Sequence, residues 1–283
     1  MSDTFDPEAH RAESLQNWED AAAGWTRNAA FVRTWMAPVS HWMIEAIAPQ
    51  PGERILELAA GTGETGLLAA EVVAPGGSVL ISDQAEAMLD GARGRAQELG
   101  IANVEFKVLN AEWIDEPLAS FDAALCRFGY MLMTDPAAAL AETRRVLRPG
   151  SGRLALAVWD EIAANPWFGF FTQELRERGE PAADGPGPFS WSSPEIVRAA
   201  LEDAGFSVER LETLDLLRRH AGFDELWDVQ LDVSRRLHDA VLSRPQAEVE
   251  DIRASLRERL APFTAADGSL EIPGRVIVAR ADA

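Results

Sequence analysis

Cysteine is almost missing from this chain, with Cys126 the single example in 283 residues. One thiol cannot close an internal disulfide, build a cysteine-rich zinc site or form a multi-thiol arsenic site. Its apolar setting in AALCRF reads as core packing rather than as a nucleophile. Long apolar runs are also absent. No stretch approaches the ~20 residues of a membrane-spanning helix, and the opening MSDTFDPEAHRAES lacks the apolar segment of a secretory signal. A cytoplasmic location is the default expectation. Basic charge is scarce: 26 Lys and Arg stand against 46 Asp and Glu, a formal net charge of -20 with pI ≈ 4.6. Nucleic-acid affinity depends on neutralising phosphates, so this balance argues against such a partner. The local arginines, Arg144, Arg145 and Arg148 or Arg218 and Arg219, read as solvated helix face or strand edge. No internal repeat is visible, nothing calls for a metal, and GEPAADGPGP is the one candidate mobile linker.

What is present is an ordinary globular composition, 47% hydrophobic and 25% charged, in a chain long enough for one elaborated domain or two small ones. The organising stretch is RILELAAGTGETGLL, Arg54 to Leu68. Ile55, Leu56 and Leu58 read as a buried strand, Gly61 and Gly63 as a sharp turn, and Glu64 as the start of a helix. Glycine lets the backbone turn tightly and approach a ligand, while the new helix directs free N–H groups at the same place. Two ligands fit such a turn. Gly61, Gly63 and Gly66 match the dinucleotide pattern G-x-G-x-x-G, with Asp83 as its ribose-binding acid. Glu57, at the end of the strand, would repel a pyrophosphate and attract a cation, which favours the sulfonium and ammonium of S-adenosylmethionine.

In chain order, Ser14 to Ile47 reads as helical and tryptophan-rich, broken near Pro38. It is either a helical pair packed on the following domain or a lid in which Trp25 or Arg33 closes over the ligand. From Glu53 to Trp159, strands and helices alternate, which predicts a parallel sheet covered on both faces. The strands are expected at Arg54 to Leu58, Ser78 to Ser82, Val104 to Leu109, Phe121 to Cys126 and Arg153 to Trp159. Ligands in such sheets bind beyond the carboxyl ends of the strands, so the residues just past each strand are the site candidates. Asp83 is the sharpest of these, since a carboxylate can accept from both ribose hydroxyls. Helix capping is its structural alternative.

ILELAAGTGETG, the acid closing VLISD, NAEW, FDAALCRFGYMLMTDP and ALAETRRVLRPGSGRLALAVW together resemble the class I S-adenosylmethionine-dependent methyltransferases. The similarity is greatest to the branch of the ubiquinone/menaquinone-biosynthesis (type 11) methyltransferases, and covers roughly Trp18 to Trp159. The resemblance implies an α/β, Rossmann-like, seven-stranded and mostly parallel sheet in the order 3-2-1-4-5-7-6, with helices on both faces and helical insertions as a lid. The last strand is antiparallel, with strand six near Ser207 to Leu217 and strand seven near Glu271 to Ala279. It also implies that backbone around Ala59, Gly61 and Gly63 surrounds the methionine portion with Glu57 nearby, and that Asp83 binds ribose. Gln84 or Met88 would lie beside adenine. Asn110 stands where the family often has aspartate, with Ala111 and Glu112 completing that edge, and the Arg127 carbonyl would face the ligand ammonium. Ala59 replaces the family's first glycine.

The expected organisation is a helical arm or lid over 1–48, a cofactor-binding core over 49–160, and acceptor-side insertions with the last two strands over 161–283. Trp159, Trp167, Phe168, Phe171 and Trp227 are candidates to line an acceptor pocket or to pack the core. Methyl transfer needs alignment and desolvation, with a base only if the acceptor must lose a proton. His41 and His220 are weak base candidates without a catalytic signature. The leading expectation is a methyltransferase acting on a small aromatic or hydrophobic acceptor and releasing S-adenosylhomocysteine. An NAD-dependent oxidoreductase and a cofactor-binding regulator without turnover are the alternatives. The oligomeric state stays open, a homodimer among the options.

Overall fold

The computed structural model describes residues 5–181 and 185–283; residues 182–184, inside the GEPAADGPGP segment, lie outside the described residues. Short apolar runs form the strands because both of their faces are covered by helices. The strands are β1 (Arg54–Leu58), β2 (Ser78–Asp83), β3 (Val104–Val108), β4 (Ala123–Arg127), β5 (Arg153–Trp159), β6 (Ser207–His220) and β7 (Leu270–Asp282). They assemble in the order β3-β2-β1-β4-β5-β7-β6, as expected. β1 to β5 pair in parallel, while β7 runs antiparallel to both β5 and β6.

Two long helices precede the sheet, α1 (Pro7–Arg27) and α2 (Ala29–Ile47). The break falls at Asn28 rather than near Pro38. The Asn28 backbone N–H and its Nδ2 both donate to the Gly24 carbonyl, at 3.1 and 2.9 Å, and close α1. Pro38 stays inside α2 on its exposed side, where the Thr34 carbonyl that loses a donor is also exposed. Val32, Met36, Val39 and Met43 of α2 are buried in the same apolar core as the central strands.

Crossovers α3 (Glu64–Val73), α4 (Glu86–Leu99) and α5 (Pro136–Val146) link the parallel strands. Beyond β5 come α6 (Pro166–Glu177) and α7 (Pro194–Asp203), the latter capped by Ser193 Oγ, which accepts from the Ile196 N–H. Three helices separate the final strands: α8 (Phe223–Val233), α9 (Arg235–Leu242) and α10 (Gln246–Leu260). Phe171 and Trp227 belong to the separate core of this insertion, together with Val241, Ile252 and Leu256. β6 runs three residues past its expected end. Its inward positions there are Leu216, Arg218 and His220, all buried, while Leu217 faces out. Arg218 is therefore not a solvated strand-edge residue. Among the described residues no helix is long and apolar enough to cross a membrane.

Candidate functional site

The glycine turn after β1 lies at the carboxyl end of the sheet and opens a cavity beneath α1. Gly61 has φ +55°, and a Cβ built on it would meet nothing within 4 Å, so its backbone faces open space. Its N–H is held by Asp83, whose Oδ2 accepts at 2.8 Å while Oδ1 accepts from the Ala85 N–H at 3.0 Å. Asp83 thus braces the turn and the backbone leading into α4, whose first turn it does not cap, and it lines the cavity. Burial raises its pKa, and the backbone N–H bonds oppose that shift.

Backbone strain marks the facing wall. Phe128, just past β4, has φ +64°, an unusual conformation for a bulky residue. It turns the ring toward the cavity and stacks it on Trp159, 4.4 Å away and 10° from parallel. The next residue must be glycine, because a Cβ at Gly129 would lie 2.7 Å from the Ala59 Cβ and 2.6 Å from Cys126 Sγ. Ala59 itself takes φ +50° where a glycine would be relaxed.

Of the residues expected at the site, Trp25, Ala59, Gly61, Asp83, Gln84, Met88, Asn110, Ala111, Glu112 and Arg127 all line this cavity. Glu57, Gly63, Arg33, His41 and His220 do not. Glu57 lies behind the wall, only 2% exposed, in a space that depends on Gly66: a Cβ there would fall 2.3 Å from its Oε2. Burial pushes its carboxyl up to about 8, opposed mainly by the Arg127 charge. The acid thus lies beneath the cavity wall, not on its rim. Gly63 starts α3 with φ +75°, its Cα against Ala92. Arg33 pairs with Glu64 at 3.3 Å. His41 is exposed on α2. His220 is buried at the end of β6, and its Nε2 accepts from Arg218 Nε at 2.9 Å, leaving no lone pair for a substrate proton.

The α1 helix contributes Arg11, Ser14, Trp18 and Trp25 to the cavity, three to seven residues apart along one helical face. Only Trp25 was singled out from sequence; the shared spacing was the available signal. Several polar contacts fasten the helix down, among them a pair between Arg27 and Asp232 of α8 at 2.7 Å. Arg11 pairs with Glu112 at 2.7 Å, and Gln84 Nε2 donates to Ser14 Oγ at 3.3 Å. Glu19 accepts from the Glu86 and Ala87 N–H groups at the start of α4, and Trp25 Nε1 donates to the Val233 carbonyl at 3.0 Å. The cavity holds about 130 Å³ of free space. Pockets that enclose small-molecule ligands run to ~300–1,000 Å³.

The donors and acceptors suit an adenosyl ligand carrying no phosphate. Asp83 offers carboxylate oxygens, Gln84 and Asn110 offer amides, and Met88 and Leu109 offer apolar surface. Asn110 Oδ1 already accepts from the Glu112 N–H at 2.8 Å and keeps one lone pair for a ligand amino group. Both lining arginines are engaged elsewhere, Arg11 with Glu112 and Arg127 with Thr65 Oγ1 at 3.1 Å, above the buried Glu57. Arg11 is thereby paired, whereas Arg127 keeps its charge without a carboxylate bond among the described residues.

Comparison with known proteins agrees with this geometry. The model of the ubiE/COQ5 methyltransferase family matches residues 32–170. A ubiquinone/menaquinone biosynthesis C-methyltransferase of Cronobacter sakazakii is 30% identical over 176 residues, 58% of this chain and 70% of that protein. The protein of the same description from Xanthomonas campestris is 38% identical over 120 residues, 42% of this chain and 47% of the relative. The chain thus spans about half the length of several curated relatives it matches. A candidate methyltransferase from Bacillus halodurans shares the fold with a TM-score of 0.57 and 20% identity, across 86% of this chain and 97% of that one. The chain belongs to the ubiE/COQ5 methyltransferase family, whose members depend on S-adenosylmethionine.

Proposed function

We propose that this protein transfers the methyl group of S-adenosylmethionine to a small aromatic or hydrophobic acceptor. The observation that carries the reading is the cavity under α1. There Asp83 and the Gly61 turn meet a strained Phe128, in a chain whose family performs this chemistry. Bound there, the cofactor supplies an already electrophilic methyl group, so the protein's contribution is placement and exclusion of water.

The residues divide that work. Asp83 holds the turn and presents carboxylate oxygen to the ribose hydroxyls. Gln84, Met88 and Asn110 would bound the adenine. Arg127 would lie under the amino-acid end, with Glu57 buried behind it and its carboxyl raised to about 8. The Phe128 ring, continued by Trp159 and Trp35, walls the acceptor side with flat apolar surface. Trp167 packs edge-on to both tryptophans, which suits a conjugated acceptor more than a polar one. No histidine reaches the cavity lining; its titratable side chains are those of Arg11, Asp83, Glu112 and Arg127. Fold alone does not name a substrate; the acceptor class is inferred from this wall.

The test is turnover. Purified protein is incubated with methyl-labelled S-adenosylmethionine and a panel of phenols, quinols and aromatic carboxylic acids, and S-adenosylhomocysteine is quantified. Product above the no-acceptor rate with at least one aromatic member supports the reading. Cofactor binding without product across the panel contradicts it.

A further inference from the structure

The inner face of β6 breaks its own pattern. Leu217 is turned outward, 38% exposed, while its neighbour Arg218 is only 1% exposed and has no carboxylate partner among the described residues. Its guanidinium lies in a box of rings, 4.7 Å from the Trp35 centroid, 5.0 Å from Trp167 and 5.4 Å from Phe31. Nε donates to His220 Nε2 at 2.9 Å and Nη1 donates to Gln230 Oε1 at 2.8 Å. Nη2 is buried and donates to nothing. Because His220 Nε2 accepts, the ring proton sits on Nδ1, which is also buried without a hydrogen-bond partner. The nearest carboxylate, Glu225, is 3.8 Å from Nδ1 and accepts from the Ala221 N–H. A third buried donor in this contiguous group, Trp35 Nε1, is unpartnered as well.

A buried cation with no anion loses more hydration than ring faces restore. Sequences break a local rule in this way mainly at functional sites. The box is joined to the cofactor cavity by stacked rings: Trp35 lies 5.6 Å from Trp159, which lies 4.4 Å from Phe128. Phe31 and Trp35, two of the rings of the box, are only half-buried.

We infer that Arg218, His220 and Trp35 form an oxyanion-binding subsite, and that the protein's acceptor is a flat conjugated molecule carrying a carboxylate or phenolate oxygen. The word acceptor here rests on the methyltransferase reading; the anion site itself does not. Burial lowers the Arg218 guanidinium to about 9 and the His220 imidazole to about 3, so near neutral pH the box carries the arginine charge alone. An anion seated against Nη2 would satisfy the orphaned donors and remove the unpaired charge.

Benzoate, 4-nitrophenolate and the neutral benzamide serve as probes, titrated into the full-length protein saturated with S-adenosylhomocysteine and followed by calorimetry and tryptophan fluorescence. At least one anion is expected to bind 10-fold or more tightly than benzamide, and comparing the two anions separates carboxylate from phenolate recognition. Arg218→Met should lose that preference while keeping S-adenosylhomocysteine affinity within 2-fold, and Arg218→Lys should retain part of it. Equal binding of benzamide and both anions, or no binding of any probe, overturns the proposal. Anion binding that Arg218→Met leaves intact also overturns it. If Arg218→Met does not fold, the wild-type comparison with benzamide and the Arg218→Lys titration decide alone. Loss of S-adenosylhomocysteine binding by the wild type would instead strike the methyltransferase reading and leave the anion titration to stand separately.

Discussion

The cavity under α1 and the ring box around Arg218 are two regions built by opposite means. The first is made from backbone: a turn at Gly61, a close approach at Gly129, a strained Phe128, and a single carboxylate, Asp83, that braces the turn and faces the cavity. The second is made from side chains that converge from α2, β5, α6, β6 and α8. Backbone sites are written in short contiguous stretches, whereas convergent sites are spread over most of the chain. Trp159 belongs to both, stacked on Phe128 to one side and on Trp35 to the other.

If the two surfaces are distinct, a change in one should leave the other intact. The largest separation is expected from Asp83→Ala. Losing the Gly61 brace and the ribose acceptor should weaken S-adenosylhomocysteine about 100-fold, ~3 kcal/mol, in line with hydrogen bonds to a charged group. Benzoate binding at the box should change less than 2-fold. Calorimetry with each ligand reads both numbers.

A smaller effect, distinguished by its pH dependence, is expected from Glu57→Gln. Folding moves the Glu57 pKa from the ordinary carboxylate range up to about 8, so the native state holds a proton that the unfolded state releases. Stability from this group is therefore complete below the ordinary carboxylate pKa and declines as pH rises through about 8. Glutamine needs no proton, so the variant should flatten the fall in urea midpoint between pH 5 and pH 8. Parallel slopes for wild type and variant would place Glu57 as an ionised partner of Arg127 throughout.

The smallest effect belongs to the lid. Arg11 is partly exposed and its pair with Glu112 is of the kind worth ~0.2–1 kcal/mol. Arg11→Ala should release S-adenosylhomocysteine a few-fold faster in stopped-flow displacement without changing stability measurably. An unchanged off-rate would mean that the contacts of Ser14, Glu19, Trp25 and Arg27 hold α1 without Arg11.

The contrast in construction also explains what could be read in advance. The sheet order and the residues after β1, β2 and β3 follow from the resemblance and from strand periodicity, because each depends on a few neighbouring residues. The break at Asn28 was misplaced because it is set by Asp232, which is 204 positions away and shares the Asn28 amide with Gly24. Arg218 resembled a solvated residue because only its partners, Gln230 on α8 and Trp35 on α2, reveal that it is enclosed. Glu57 was expected to face the ligand as part of a rim. The absence of a side chain at Gly66 instead draws its carboxylate inward, a packing effect that strand alternation does not encode.

The central claim is that the cavity under α1 accepts an adenosyl compound with an amino-acid tail and no phosphate. Calorimetric titration of the wild-type protein with S-adenosylhomocysteine and, separately, with NAD tests it directly. Saturable one-to-one binding of the first with no detectable heat from the second is the predicted result; NAD bound one-to-one with S-adenosylhomocysteine silent would contradict the account.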